Sequence, residues 1–440
     1  MFWFKKLIPA RIFTFFQPVY HFLFAFGAAL FYGFPSRRLS VIGVTGTKGK
    51  TTVVELAHKV LEEGGAKVAS LSSLRFKIGE SEVKNDKKMT MPGRMFVQKF
   101  LHEAVKQKCK YAILEITSEG IKQFRHRFIN FSAAVMTNIA PEHLETHGGF
   151  EKYLRAKLDL FWRLPKKGVA IINYDDPLGI RFSASTAAPK VFYDKNGLKF
   201  NGQVFQVRGV NINEKGVEFE INGQTVYSKL LGEFNFYNIL AVLALGTSQH
   251  LAFEKMAQVI AAVSVIPGRM EFIQEEPFKI VVDYAHTPDS LRKVYAVLCE
   301  PVTSNQLFPK RKLICVLGAA GGGRDKWKRP EFGKIAAEFC DEIILTNEDP
   351  YDENPISILE QIETGFSPIR NYKKVIDRRE AINKALSLAQ SGDTVVITGK
   401  GAEPWIMGPH SEKIPWDDRE VIREELENLN IKSQKPRWGF

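Results

Sequence analysis

The residues with the clearest potential for chemistry lie in the segment VIGVTGTKGKTTVV, residues 41–54, where an apolar β-branched run gives way to a glycine-rich turn and a helical pattern. Gly46 and Gly49 would let backbone N–H groups close around an anion, and the helix N-terminus would add its dipole. Lys50 would neutralise the β- and γ-phosphates of a nucleotide, and the Thr51 hydroxyl would bind Mg²⁺. The segment therefore predicts a phosphate-binding loop.

The match to the general phosphate-binding pattern is imperfect. That pattern has glycine five residues before Gly49, where this chain has Val44. The alternative is an ordinary glycine-rich turn between a strand and a helix. We favour the phosphate-binding loop, because Gly-Lys-Thr-Thr follows the strand directly.

Three further candidates lie in the same half of the chain. Glu115 ends the apolar run YAILE. An acid at the carboxyl end of a strand suits a second contact to Mg²⁺. The alternative is an ordinary charged residue at a strand edge. His143 follows the strand 133–136, so we prefer a ligand or phosphate role to a structural one. Lys157 lies on an amphipathic helix, where chemistry alone would favour an ordinary surface lysine.

The C-terminal half repeats the arrangement of strands followed by polar loops. Predicted strands at 280–282, 313–317, 342–345 and 394–397 lead into the loops DYAHTP, GAAGGGRDK, TNEDP and TGKG. The second of these loops lacks the Gly-Lys-Thr ending, so we do not interpret it as another phosphate-binding loop. Because ligands bind beyond the carboxyl ends of parallel strands, four such loops predict one binding face.

Composition places the chain among ordinary globular proteins of two or three domains. It has 440 residues, of which 45% are hydrophobic and 25% charged, and its net charge of +12 fits anionic substrates such as nucleotides. Beyond residue 40 no interleaved basic and aromatic pattern favours nucleic acid. Cysteines at 109, 299, 315 and 340 form no CxxC pair, which argues against a zinc ribbon or a disulfide framework and suits a reducing cytoplasm.

The first 38 residues form an unusually aromatic and basic stretch with five Lys or Arg and no acid. The uncharged run 19–34 is short for a bilayer span, which needs about 20 residues, and no small-residue cleavage site indicates a signal peptide. Basic residues around an aromatic stretch are typical of helices at a membrane surface. The alternative is a hydrophobic arm packed on the body of the protein itself.

These elements predict an α/β protein in three parts. Residues 1–38 are the arm, with membrane contact through residues 1–36. Residues 39–267 are a nucleotide-binding domain with a mostly parallel sheet and a small antiparallel β subdomain at 190–230. Residues 268–440 are a second, Rossmann-like α/β domain, and Pro-Gly-Arg at 267–269 marks a hinge.

From about residue 41 onward the chain resembles the Mur ligases, and most closely their MurE type, which adds the third residue of the peptidoglycan stem peptide. The motifs that carry the resemblance occur in family order: GTKGKTT (46–52), LEITSEG (114–120), TNIAPEHLETHG (137–148), YLRAKLDLF (153–161), GEFNFYN (232–238), PGRM (267–270), DYAHTPDSL (283–291), GGGRDKWKRP (321–330), NEDP (347–350) and GKGAE (399–403).

The resemblance implies a mechanism with ATP and Mg²⁺ as cofactors. ATP would phosphorylate a substrate carboxylate to an acyl phosphate, an amine would attack it, and the tetrahedral intermediate would expel phosphate. Concentrating that much negative charge calls for magnesium ions and several cations.

The resemblance also assigns roles to residues. The catalytic set is Lys50, Glu115, His143 and Lys157; the metal set is Thr51, Glu115, His143 and Lys157, the last through a carbamate. The ATP-binding set is Gly46, Thr47, Lys48, Gly49, Lys50, Thr51, Thr52, Asn235, Asn238, Arg269 and Asp283. The substrate set is Thr90, Thr117, Ser118 and Arg125 for the muramoyl peptide, with His286, Arg324, Asp349, Lys400 and Glu403 on the side of the incoming amino acid.

Three departures from the MurE pattern bear on the substrates. Thr117-Ser118-Glu119 stands where Ser-Ser-His is usual, and Glu348-Asp349-Pro350-Tyr351 replaces the diaminopimelate motif Asp-Asn-Pro-Arg, which leaves lysine or another diamine open. The aromatic arm stands where the family has an N-terminal uridine-binding domain. The acceptor could therefore be held differently at its UDP end or be linked to a lipid.

We therefore expect an ATP-dependent, amide-forming ligase of peptidoglycan precursor synthesis that adds an amino acid to a UDP-N-acetylmuramoyl-dipeptide-like acceptor. Two alternatives stay open: a ligase acting on a lipid-linked or folate-like acid, and a membrane-bound nucleotide-binding scaffold without ligase activity. We expect a cytoplasmic monomer, in contact with the inner face of the membrane through residues 1–36 and without nucleic-acid partners.

Overall fold

Two large β-sheets and one small sheet organise the part of the chain that our computed structural model describes, residues 10–87, 89–299, 311–366 and 371–429. The first large sheet has 12 strands in the order β12-β11-β10-β9-β8-β7-β6-β1-β5-β2-β3-β4, and its centre from β8 to β2 is parallel. Its strands are β1 Ser40–Thr45, β2 Val68–Leu71, β3 Arg75–Ile78, β4 Ser81–Lys84, β5 Tyr111–Glu115, β6 Phe131–Met136, β7 Val169–Asn173, β8 Lys190–Asp194, β9 Gly197–Phe200, β10 Gln203–Asn213, β11 Gly216–Ile221 and β12 Gln224–Ser228.

Helices cover both faces of this sheet because its central strands are apolar on both sides. In β1, Ile42 and Val44 pack into the core under one set of helices, and Val41 packs into the core on the opposite face. The helices of this half are α1 Ala10–Phe31, α2 Lys50–Glu63, α3 Arg94–Lys106, α4 Ser118–Lys122, α5 Leu144–His147, α6 Phe150–Trp162, α7 Gly179–Ala184, α8 Glu233–Ser248 and α9 Phe253–Ala262.

The second large sheet has the order β13-β14-β18-β15-β16-β17 and is parallel except for β13. The chain enters it through residues 267–269, the predicted hinge, directly before β13. Its strands are β13 Glu271–Gln274, β14 Lys279–Asp283, β15 Leu313–Leu317, β16 Glu342–Leu345, β17 Tyr372–Lys374 and β18 Thr394–Thr398; β19 Trp405–Met407 and β20 Lys413–Pro415 form the small sheet. Its helices are α10 Pro288–Leu298, α11 Lys328–Phe339, α12 Pro355–Glu363, α13 Arg378–Leu388 and α14 Asp418–Asn428.

The antiparallel strands expected at 190–230 are present as β8 to β12. Because β8 pairs in parallel with β7, they continue the large sheet. The segment after β2 contains the hairpin β3–β4 at the sheet edge. All four residues of β4 are exposed, so no apolar alternation marked it as a strand.

The structure corrects the expectation that the cysteines are not paired in disulfides. Cys315 of β15 and Cys340, directly after α11, form a disulfide with an S–S distance of 2.02 Å. Their 25-residue separation gave no sequence signal of pairing.

Helix α1 accounts for most of the predicted arm, and residues 1–9 lie outside the described residues. Ala25, Ala28 and Ala29 are buried, while Leu23 and Phe31 on the same helix are exposed. One side of α1 thus packs on the body of the protein, as the second alternative expected. Of the helices in the described ranges, none combines the length and apolarity that crossing a bilayer would need.

A buried ion pair fixes α14 to the second sheet. The Arg378 guanidinium donates to both carboxylate oxygens of Asp418 at 2.8 Å and to the Thr398 carbonyl at 2.9 Å. Both charged side chains are almost fully buried. Trp416 Nε1 also donates to Asp418 at 2.8 Å.

We expect Asp418→Ala to destabilise the protein by about 3–5 kcal/mol, because it would leave the Arg378 charge buried without its carboxylate. Chemical denaturation followed by circular dichroism measures the loss. Glu424→Ala, which removes an exposed carboxylate from the same helix, is the matched control and should cost less than about 1 kcal/mol. Equal effects of the two substitutions would contradict this interpretation.

Candidate active site

The phosphate-binding loop lies between β1 and α2, as the sequence predicted. Gly46 and Gly49 have φ angles of +148° and +81°, which side chains other than glycine rarely adopt. A Cβ on Gly46 would overlap with the Thr137 side chain, and one on Gly49 would overlap with the Asn238 amide. Both glycines are therefore required by backbone angle and by space.

Two lysines converge on one carbonyl of this loop. Lys50 Nζ donates to the Gly46 and Thr47 carbonyls at 3.0 and 2.9 Å, and Lys157 Nζ, from α6, donates to Gly46 at 2.7 Å. Lys157 is 2% exposed, so the alternative of an ordinary surface lysine is wrong. Burial, together with the charge of Lys50, lowers the pKa of Lys157 well below that of an ordinary lysine.

An oxygen-rich group lies at the start of α2. Thr51 Oγ1 is 3.1 Å from Glu115 Oε2 and 2.8 Å from Ser73 Oγ, and the Ser73 backbone N–H donates to the same Glu115 oxygen at 3.0 Å. Arg269 Nη2 lies 3.5 Å from the Thr51 and Ser73 hydroxyls. Sequence reasoning did not select Ser73, although its place just beyond the carboxyl end of the parallel strand β2 was a usable signal.

A second cluster of polar side chains connects the two halves of the protein. Lys48 Nζ lies 3.1 Å from Glu142 Oε1 and 3.3 Å from His286 Nε2, and His286 Nε2 lies 3.3 Å from the same Glu142 oxygen. Lys48 and Glu142 belong to the first half, and His286 follows β14 in the second. Glu142 occurs in one of the recognised motifs but was not among the candidate residues.

The electrostatics of this group follow from its burial. Burial lowers the pKa of Lys48 to about 8 even though Glu142 opposes the change, and burial and the Lys48 charge lower the pKa of His286 to about 4. Burial opposes ionisation of Glu142, but Lys48 and His286 outweigh it and hold the pKa of this carboxyl well below its usual range. At neutral pH the group therefore contains one cation, one anion and a neutral imidazole.

The loops of the second sheet form an acidic wall around one lysine. Lys400 Nζ is 2.8 Å from Asp349 Oδ1 and 2.6 Å from Glu403 Oε2, and the Tyr284 hydroxyl donates to Glu403 at 3.0 Å. Burial and the neighbouring Asp349 raise the pKa of Glu348 to about 7. Its Oε2 is buried and has no hydrogen-bond partner among the described residues.

The two halves of the protein enclose a cleft. The end of this cleft opposite the acidic wall is formed by α4 and the loop before α3. The Thr117 hydroxyl caps α4 by accepting from the Gly120 N–H at 3.0 Å. The Arg125 guanidinium is held by the Met91 carbonyl and, at 2.8 Å, by Gln123 Oε1. These bonds fix the orientation of a cation that the sequence assigned to the acceptor site.

A cavity of about 500 Å³ connects these groups. The candidate residues that line it are Thr47, Lys48, Gly49, Lys50, Thr51, Thr52, Thr90, Glu115, Thr117, Arg125, His143, Asn235, Asn238, Arg269, Asp283, His286, Arg324, Asp349 and Glu403. Four candidates do not line it. Gly46 of the loop packs against the Thr137 side chain, Lys157 lies behind the phosphate loop, Ser118 is buried in α4, and Lys400 is covered by its acidic partners.

Side chains of α8 and β14 complete the walls. Asn238 donates to Asn235 Oδ1 at 3.0 Å, and Asn235 donates to the Leu231 carbonyl at 2.8 Å. Asp283 accepts from the Met270 N–H at 2.7 Å, which ties the end of β14 to the segment that links the two halves.

The predicted metal ligands are only partly brought together. Thr51 and Glu115 are adjacent, whereas His143 lies beside Glu142 and the cations Lys328 and Arg324 of the second half. Burial and those cations lower the pKa of His143 to about 3, so its imidazole is neutral. Across the ranges that the structure describes, no three His, Cys, Asp or Glu side chains are grouped to hold a metal ion.

Comparisons with known proteins agree with this fold. The Mur ligase middle domain matches residues 44–246, and the Mur ligase glutamate ligase domain matches residues 268–401. A UDP-N-acetylmuramoyl-L-alanyl-D-glutamate–2,6-diaminopimelate ligase from Thermosynechococcus vestitus is 38% identical over 91% of this chain and 79% of its own length. The ligase of the same name from Chlamydia muridarum is 37% identical over 91% of this chain and 81% of its own.

Solved structures of other proteins share this fold. A structure of a UDP-N-acetylmuramoyl-L-alanyl-D-glutamate–2,6-diaminopimelate ligase is 29% identical, with a TM-score of 0.59 over 90% of this chain and 79% of its own. Folylpolyglutamate synthase of Mycobacterium tuberculosis is 19% identical, with a TM-score of 0.69 over 85% of this chain and 91% of its own, and shares the fold.

Together with the glycine-rich phosphate loop that faces a second α/β unit, these relatives and matched domains identify an ATP-dependent ligase that joins an acid to an amino acid. The chain belongs to the Mur ligase family. The resemblance and the fold class predicted from the sequence are confirmed.

We expect nucleotide affinity to weaken as the pH rises through about 8, because Lys48 loses its proton there and the loop loses a cation. Binding of a polyphosphate favours the charged lysine, so affinity should fall by at most about tenfold per pH unit above the pKa of the free enzyme. Calorimetric titration with ADP at several pH values measures this.

Lys48→Arg is the control for this pH dependence, since arginine stays protonated throughout the range. Its nucleotide affinity should vary less with pH than that of the wild-type enzyme. An equal decline in both proteins would assign the effect to another group.

Proposed function

We propose that this protein adds an amino acid to a UDP-N-acetylmuramoyl-dipeptide-like acceptor, as a step of peptidoglycan precursor synthesis in the cytoplasm. ATP would phosphorylate the acceptor carboxylate, giving an acyl phosphate and ADP. The amino group of the incoming amino acid would then attack the acyl carbon, and phosphate would leave as the amide forms. The names of the relatives support this choice of substrates.

The observation that carries the proposal is the contact between the two walls of the cleft. Lys48 of the phosphate loop and His286 of the second half lie 3.3 Å apart. A phosphate held by the loop is thereby brought opposite the loops after β14, β15, β16 and β18. Ligation requires nucleotide, acid and amine to meet, and a cavity shared by both halves provides the place.

The phosphate loop suits the nucleotide, with Lys48, Lys50 and the Gly46–Gly49 backbone around the phosphates. We assign the adenine side to Asn235 and Asn238, and ribose and phosphate contacts to Asp283 and Arg269. Thr51 Oγ1 and the Glu115 carboxylate fit Mg²⁺, since both are oxygen ligands and lie 3.1 Å apart. The ion would neutralise charge on the phosphates.

We assign Lys157 the role of a carbamylated lysine. A neutral amine reacts with CO₂ to give a carbamate and a proton, and burial favours the neutral amine at this position. A carbamate would replace the neutral Lys157 amine behind the loop with an anion suited to a second Mg²⁺. His143, with its neutral imidazole, is the remaining candidate ligand.

The acidic wall suits the incoming amino acid. Arg324, whose side chain is hydrogen-bonded to Tyr351, offers a cation for a carboxylate. Glu348 offers a buried oxygen without a hydrogen-bond partner among the described residues, which suits an ammonium group. We propose that Thr90, Thr117 and Arg125 hold the acceptor at the far end, whether its carrier is a nucleotide or a lipid.

We expect the purified protein to release phosphate from ATP only when a muramoyl-dipeptide acceptor and an amino acid are both present. Mass spectrometry of a panel with diaminopimelate, lysine and ornithine identifies the amino acid that is added. Phosphate release that is indifferent to both substrates would overturn the ligase proposal and favour the scaffold alternative.

Lys50→Ala should lower turnover in this assay by about 100-fold or more, because a cation at the transferring phosphate is lost. Lys59→Ala, an exposed lysine on the same helix, is the matched control and should leave turnover unchanged.

We expect Lys157→Ala to lower turnover by about 100-fold or more, with partial recovery when formate or acetate supplies a carboxylate in the space of the lost side chain. Turnover of the wild-type enzyme should also fall in buffer depleted of CO₂. Lys152→Ala, exposed on the same helix, is the control. Full activity of Lys157→Ala without added carboxylate would refute the carbamate role.

A further inference from the structure

Helix α1 has two different faces along its length. On the inner side, Ala25, Ala28 and Ala29 are at most 2% exposed and let the helix approach the body closely. His21 contacts the Arg94 guanidinium at one end of this side, and Tyr32 packs on His102 of α3, with 5.5 Å between ring centroids, at the other. The spacing of these residues matches a helical stripe, so the orientation of α1 is fixed.

The outer side of α1 presents large apolar side chains to solvent. Leu23, Leu30 and Phe31 are 60%, 57% and 75% exposed, and Val19 and Tyr20 add 54% and 42%. These residues continue from one turn of the helix to the next, so they form a single apolar strip. Proteins rarely expose such a strip unless it has a binding partner.

The charge around the strip identifies the kind of partner. Residues 1–38 contain five basic residues and no acid, and Arg37 and Arg38, just beyond α1, are exposed. The Arg127 guanidinium lies 5.9 Å from the ring centroid of Phe22 beside the strip. Aromatic side chains bordered by arginines match the boundary between acyl chains and anionic head groups.

The inner side of α1 lies next to the acceptor end of the cleft. Arg94, which contacts His21 of α1, also donates to the Gln123 carbonyl. Gln123 in turn holds Arg125, and both residues line the cavity. A surface bound to the outer strip would therefore be separated from the Arg125 end of the cavity by the width of α1, roughly 10 Å.

We infer that α1 lies in the interface of an anionic membrane, with its outer strip among the acyl chains, and thereby places the Arg125 end of the cleft near the membrane surface. Each exposed arginine near the surface adds attraction to anionic lipid. This inference concerns α1 alone and stands or falls independently of the proposed reaction.

Co-sedimentation of the full chain with vesicles tests it. The wild-type protein should bind vesicles containing about one-third phosphatidylglycerol and bind several-fold more weakly to vesicles of phosphatidylcholine alone. Leu23→Glu with Leu30→Glu should weaken binding to the anionic vesicles by roughly tenfold or more. Ile180→Glu with Val204→Glu, at positions 63% and 61% exposed elsewhere on the protein, is the matched control and should bind like wild type.

Circular dichroism and nucleotide binding in the absence of vesicles show that each variant is folded. Absent binding of the wild-type protein to anionic vesicles, or equal binding by the Leu23/Leu30 variant, would overturn the inference. A third result would also overturn the inference: the wild-type protein does not bind vesicles but forms a concentration-dependent dimer, and the Leu23/Leu30 substitutions dissociate that dimer. The strip would then bind a second copy of the chain.

Discussion

The contact among Lys48, Glu142 and His286 is the interaction on which the rest of the site depends. It joins the phosphate loop of the first sheet to a loop of the second, within 3.3 Å at each contact. Glu142 has its compensating cation, Lys48, within the first half. Separating the halves would therefore leave this ion pair intact, but it would expose the buried pair to water and remove the hydrogen-bonding imidazole of His286.

Charge is divided unequally between the two walls of the cleft. The first wall gathers Lys48, Lys50 and Lys157 around one loop, where burial lowers the pKa of Lys48 and Lys157. The second wall gathers Asp349 and Glu403 around Lys400. In the proposed reaction, the lysines of the first wall would attract a polyphosphate, and the carboxylates of the second wall would attract an ammonium group.

Much of this could be predicted because each sheet follows local rules. Apolar runs marked the central strands, and polar residues after them marked the cavity edge, where Glu115, His286 and Arg324 line the cavity. The hairpin β3–β4 and the Cys315–Cys340 disulfide could not be predicted, because an exposed edge has no alternation and a pairing across 25 residues depends on tertiary structure. Burial of Lys157 likewise depends on how α6 packs behind the loop.

Helices α1 and α8 show most clearly where sequence reasoning stops. Both are apolar around most of their circumference, which ordinarily indicates a buried helix. Helix α8 meets this rule, because the extended first sheet covers it on one side and α2 and α9 on the other. Helix α1 has the same character but only one face against the protein, so its outer strip needs a partner that the described part of the chain does not supply. Composition alone cannot separate the two cases; what separates them is the amount of surrounding protein, which is a property of the whole fold.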